Sequence, residues 1–211
     1  MKPQFKCVPL TSDIKHRKEI KNFVIDREAE YSSKEDAVIG LEAYLKKCAW
    51  EDDKANNVRI YLIKDESNGE IAAYFGLKAG MVADSSSGMP SEITRQRIME
   101  ELGVKILPEI IPGIEISHFA VNDDYRRHAS TSGKPIRGLG EYFYPTFIYP
   151  IIEEVAEKIG VGMIYLYAAG DEHLENYYKR VFKFDLLKGE DYYVPLEPKY
   201  DGGCTFMYRL I

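Results

Sequence analysis

The sequence predicts an α/β protein, α+β in the stricter naming, with a mixed, mostly antiparallel sheet of about seven strands flanked by helices. Three observations predict it. The apolar runs IEISHFAV (114–121) and MIYLYA (163–168) have strand length and enclose a glycine turn and a helix-length segment, a β-α-β order. Two alternating runs, 58–64 and 70–77, are joined by Asp-Glu-Ser-Asn-Gly, in which Asn68-Gly69 supplies positive φ at little cost. The last two apolar runs, 192–196 and 204–211, flank Pro-Lys-Tyr-Asp-Gly-Gly and read as a terminal antiparallel hairpin.

Taken in order, QFKCVPL (4–10) alternates and carries a proline, which suits an edge strand. Thr11, Ser12 and Asp13 offer an N-cap for a helix over 13–26 with Ile14, Ile20, Phe23 and Val24 on its apolar side. A second helix begins near Ser32 or Ser33, with Val38, Leu41, Tyr44, Leu45 and Cys48 as its stripe. The charged stretch 51–57 reads as loop. Residues 80–112 form the least regular part, holding Ser85-Ser86-Ser87-Gly88 and one short amphipathic segment from Ser91. That stretch reads as a decorated loop or as a flap over a substrate site. The predicted organisation is a single domain over 1–211 with an irregular insertion at about 80–112.

Composition narrows the class. Of the 211 residues, 45% are hydrophobic and 29% charged, ordinary for a globular protein, and the net charge is −6. That balance gives nucleic acid no overall electrostatic pull. Cys7, Cys48 and Cys204 have neither disulfide-framework nor zinc spacing and fit a reducing compartment. With no long apolar run, the expectation is a cytoplasmic protein without membrane contact. No spacing of His, Cys, Asp or Glu suggests a metal.

The segment 113–184 carries a resemblance. The end of the first strand, AVNDDYRR (120–127), the Gly138-Leu139-Gly140 turn and its following helix resemble the central motif of the GCN5-related N-acetyltransferase (GNAT) family. Asp171, Leu174, Tyr177-Tyr178 and Phe184 resemble its second motif. The order of elements is similar over nearly the whole chain. Three departures stand out. Pro135 occupies the place of the family's Arg or Gln, and Lys183 that of a glycine before the last aromatic. Pro145 and Pro150 fall inside the helix, the second where it should kink or restart. A narrower likeness joins GLEAYLKKCAWED (40–52), AAYFGLKAG (72–80) and IPGIEISHFAV (111–121) to the family's toxins that acetylate aminoacyl-tRNA.

The resemblance implies acetyl-CoA as acyl donor and direct attack of a primary amine on the thioester. Backbone amides at Gly138, Leu139 and Gly140 would meet the pyrophosphate. Arg126, Arg127, Lys134 and Arg137 cluster around the loop. Phe119, Ala120 and Val121 would border the pantetheine arm, with Asp171 and Tyr177 beside the cofactor. Tyr178 is the candidate acid for the departing thiolate, with Tyr177 as competitor. His118 and Glu115, on opposite faces of the first strand, are alternative bases. His16, His128 and His173 stand among polar residues and read as surface. The main functional expectation is an N-acetyltransferase acting on a small-molecule or peptide amine. An aminoacyl-tRNA-acetylating toxin and a non-catalytic acyl-CoA-binding module are the alternatives, and a homodimer is compatible with all three.

Overall fold

The computed structural model describes residues 4–26, 40–84, 100, 110–129, 135–169, 172–186, 193–195 and 204–211, and its strands form one eight-stranded sheet. The strands are β1 (Phe5–Pro9), β2 (Arg59–Asp65), β3 (Ile71–Asp84), β4 (Ile110–Val121), β5 (Met163–Ala169), β6 (Asp185–Leu186), β7 (Tyr193–Pro195) and β8 (Cys204–Leu210). Two compact units divide the chain, residues 1–78 with 117–148, and 79–116 with 149–211.

In the first unit the strand order is β1-β2-β3-β4. β1 is the expected edge strand, antiparallel to β2, and ends on Pro9, whose missing N–H no further strand requires. The β2–β3 hairpin turns through Gly69 at φ 77, a left-handed conformation that glycine adopts without a Cβ penalty. Helices α2 (Leu41–Lys47) and α3 (Ala49–Lys54) carry Tyr44, Leu45, Ala49 and Trp50 into a core with Leu10, Phe23, Ile60, Leu62 and Tyr74.

Three sequence expectations fail here. The helix expected over 13–26 is a single turn, α1 (His16–Glu19), between 3₁₀ turns at Leu10–Ser12 and Ile20–Asn22. Ile14, needed for its apolar stripe, is 67% exposed. The expected loop 51–57 is helical as far as Lys54 because Asp53 is buried and satisfied. Its carboxylate accepts from Arg59 at 2.9 Å, from the Ile60 amide at 3.1 Å and from the Thr11 amide at 3.2 Å. His16, read as surface, is also buried, with Nδ1 2.9 Å from the Leu10 carbonyl.

In the second unit the order is β3-β4-β5-β8-β6, and β7 pairs with β3. β4 and β5 are parallel through Gly113↔Met163, Ile114↔Ile164 and Glu115↔Tyr165, and the other pairings with resolved register are antiparallel. Among the described residues the terminal hairpin is not formed. β8 lies between β5 and β6, where Met207 and Tyr208 are buried, and β7 goes to β3 instead. Residues 80–84 and 110–112, expected to be irregular, are strand; the rest of 80–112 apart from Glu100 lies outside the described residues.

Candidate active site

β4 ends at Val121, and Asn122 secures the start of the next helix. Its Oδ1 accepts from the Asp124 amide at 3.1 Å, capping α4 (Asp123–His128), and from the Val24 amide at 3.2 Å. Its Nδ2 donates to the Ile71 carbonyl at 2.8 Å. From α4 a two-point clasp reaches the glycine turn. The Ile136 amide donates to the Arg126 carbonyl at 2.9 Å, and Arg126 Nε donates to the Ile136 carbonyl at 3.1 Å. Arg126 also pairs with Asp123, while Arg127 pairs with Asp26 and Asp124. Both arginines expected at phosphate are thus committed to carboxylates, and Arg126 acts on the loop itself.

Two residues beyond the clasp, Gly138 has φ 75 and ψ 9 and starts the helical run 139–159: α5 (Leu139–Phe143), a π turn at Tyr144–Ile148 and α6 (Tyr149–Ile159). The first bond of α5 runs from the Tyr142 amide to the Gly138 carbonyl, so the amides of Leu139, Gly140 and Glu141 precede the helical ladder. No side chain caps them. Leu139 is buried and anchors the turn, Gly140 is half-buried, and Arg137 is exposed without a partner among the described residues. The run passes both prolines. The π turn holds Pro145 and closes just before Pro150, whose missing N–H leaves one α-helical bond unmade.

His118, in the first unit, stacks on Tyr44 with ring centroids 3.7 Å apart and planes 10° apart, and Nδ1 lies 2.9 Å from Ser117 Oγ. Burial pushes its imidazole down to about 4; the Asp52 charge opposes the shift and Lys78 adds to it. Phe119 and Val121 are half-buried and Ala120 is buried.

In the second unit, Glu115 and Tyr165 are 5% and 3% exposed, with the Tyr165 hydroxyl 3.4 Å from Glu115 Oε2. Burial, then the Glu115 charge, raises the Tyr165 phenol well above its ordinary range; Tyr167 is raised by the same two causes. Beyond β5, α7 (Glu172–Tyr177) widens into a π turn, Tyr178–Phe182. Tyr178 opens that turn against the rings of Tyr177, Phe182 and Phe184, at centroid distances of 5.9, 5.5 and 6.4 Å. Its hydroxyl has no hydrogen-bond partner among the described residues, and burial, then Tyr177, pushes its pKa up to about 12. Lys183, at the position of the family's glycine, takes φ 62 and ψ 34, the left-handed conformation a glycine would adopt there. Lys134 and Asp171 lie outside the described residues. Among those described, no cluster of His, Cys, Asp or Glu could hold a metal. No described helix is long and apolar enough to cross a membrane.

Sequence reasoning missed the Arg126 clasp and the contact of Tyr165 with Glu115. The first had no signal, since clasp and phosphate contact ask for the same residue type. The second was visible only as two glycines, Gly80 and Gly113, with no turn to explain them.

No family model and no curated protein matches the chain. Solved structures do. AtaTR bound with AcCoA is 16% identical, with 92% of this chain and 95% of that chain covered and a TM-score of 0.60. AtaT complexed with acetyl-methionyl-tRNAfMet is 15% identical, with 96% and 94% covered and a TM-score of 0.61. A mutant of KacT is 13% identical, with 98% and 95% covered and a TM-score of 0.61. Likeness over nearly the whole of both chains at such identities establishes the fold, the GNAT-like one the sequence predicted.

Proposed function

We propose that this chain is an acetyl-CoA-dependent N-acetyltransferase whose acceptor is the α-amino group of an aminoacyl-tRNA. The observation that carries the reading is the left-handed Gly138 opening an uncapped helical run, within a fold shared with a structure bound to AcCoA. In this reading the amides of Leu139, Gly140 and Glu141 receive the pyrophosphate and Arg137 adds a cation. Past Glu115↔Tyr165 the parallel ladder ends, while β5 continues to Ala169 paired with β8. That leaves one edge of β5 for the amides of the pantetheine arm.

The amine nitrogen attacks the thioester carbonyl, forming the C–N bond as the C–S bond breaks. Tyr178 donates its proton to the departing sulfur, for which a hydroxyl kept protonated by its surroundings is suited. Glu115, a carboxylate beside the Tyr165 hydroxyl, is assigned to take the amine's proton, with His118 as the alternative.

The acceptor is argued from AtaT with acetyl-methionyl-tRNAfMet and from the toxin-like segments of the sequence, which favour this alternative over a small-molecule amine. The net charge of −6 is the observation that favours the small or peptide amine. Radiolabelled acetyl-CoA offered with methionyl-tRNAfMet and, separately, with a panel of amines decides between them. Label on the tRNA alone supports the proposal, and label on the amines alone supports the second reading. Absence of acetyl-CoA binding in calorimetry overturns both.

A further inference from the structure

The geometry points to Tyr165 as the positioning residue for Glu115, seated for that task by the bare backbone of Gly80 and Gly113. The inference rests on Glu115 taking the amine's proton, as proposed above. Glu115 and Tyr165 form the last pair of the β4–β5 ladder, so their side chains leave one face of the sheet side by side. The tyrosine crosses the neighbouring strand β4 at Gly113 and reaches the next strand, β3, at Gly80. A Cβ on Gly80 would stand 1.9 Å from the Tyr165 hydroxyl oxygen, and one on Gly113 would stand 2.9 Å from its Cε1. Any side chain at either glycine displaces the ring. Phe206 closes on the ring at 5.6 Å and Tyr167 at 6.4 Å.

This slot explains two glycines in strand interiors, where glycine otherwise weakens the strand. It also meets a need of the carboxylate. Shut away from water, Glu115 requires hydrogen-bond donors, and the phenol is fixed beside Oε2. Their separation of 3.4 Å is long for O–H···O, as such bonds often are before substrate binds. A donor on one carboxylate oxygen sets the rotation of the group and aims it at the proton it is to receive.

The test uses full-length protein carrying 13C-carboxyl glutamate, in which the resonance lost in E115Q identifies Glu115. At pH 8, Y165F keeps the ring and removes only the hydroxyl. The Glu115 resonance is expected to move further than that of any other glutamate. G113A, which keeps both groups but pushes the ring aside, is expected to move it as well. In transfer to methionyl-tRNAfMet, Y165F is expected to lower kcat about tenfold with KM unchanged, the scale of one hydrogen bond to a charged group. The double variant is expected to be no slower than E115Q. An unmoved Glu115 resonance in Y165F overturns the positioning role whatever the activity. A moved resonance with full activity in E115Q leaves the contact in place and overturns the base assignment, and with it the role claimed here.

Discussion

Replacing Gly138 by alanine isolates the backbone of the phosphate turn. Nothing lies within 4 Å of the added Cβ, so the substitution causes no clash and its cost is conformational. An alanine held at φ 75 is strained by about 1–2 kcal/mol. Loss of glycine's freedom in the unfolded chain returns about 0.4–1 kcal/mol of that. The net destabilisation is about 1 kcal/mol, which for a chain of this size lowers Tm by about 2–4 °C. If the first-turn amides hold the pyrophosphate, relaxation toward negative φ turns them away, and calorimetry should show coenzyme A bound at least tenfold more weakly. Arg137→Ala is the control without strain, expected to leave Tm within about 1 °C and weaken coenzyme A several-fold. Unchanged coenzyme A affinity in both variants, with the Tm loss present in G138A, would refute the phosphate reading and leave only a structural turn.

Tyr178→Phe should lower kcat by about 10²-fold while coenzyme A affinity stays the same, and unaltered transfer rules out the acid role. Because Tyr178 is pushed up to about 12, it stays protonated through pH 10, so wild-type kcat should show no basic limb from this group between pH 7 and 10. His118 is depressed to about 4 against 6.5 when unfolded, so its neutral form stabilises the fold fully above pH 6.5. As pH falls from 6.5 toward 4, up to about 3 kcal/mol of that is lost. Urea unfolding of wild type and His118→Phe at pH 7.5 and pH 5 checks it, and an equal drop in both proteins contradicts it. Lys183→Gly relieves the left-handed strain at the end of the π turn and should stabilise by about 0.5–1 kcal/mol, read as a raised urea midpoint.

What was legible in the sequence came from local rules. The β2–β3 hairpin was set by alternation and Asn68-Gly69, β1 by its alternation and proline, and the β-α-β order by apolar runs around the glycine turn. Reading failed where tertiary contacts overrode local signals. Glu51, Asp52 and Asp53 look like loop, but the three donors around Asp53 make a helix tolerable there. Residues 198–203 look like a hairpin turn, yet β8 pairs with β5 and β6, where Met207 and Tyr208 are buried, and an isolated two-stranded hairpin is only marginally stable. The candidate-site residues were named by motif, but the contacts they make were not legible. Composition cannot tell an arginine that clasps a loop from one that meets phosphate, and Arg126 does the first.

An acidic chain proposed to bind a polyanionic nucleotide raises an apparent contradiction, and the site suggests its resolution. Arg126 and Arg127 are neutralised by Asp123, Asp26 and Asp124, so among the described residues little free cationic charge remains at the turn beyond Arg137. The remaining donors are main-chain amides and the dipole of a helical run, whose attraction is independent of net charge and acts at short range. Recognition of this kind releases few condensed counterions, so coenzyme A affinity should fall only slightly with added salt. A tRNA bound to the same protein has no such substitute for cations and must find a local basic surface despite the overall −6. The two salt dependences therefore separate the two halves of the proposal. A shallow slope for coenzyme A supports the amide cradle, and a steep slope for tRNA supports the acceptor.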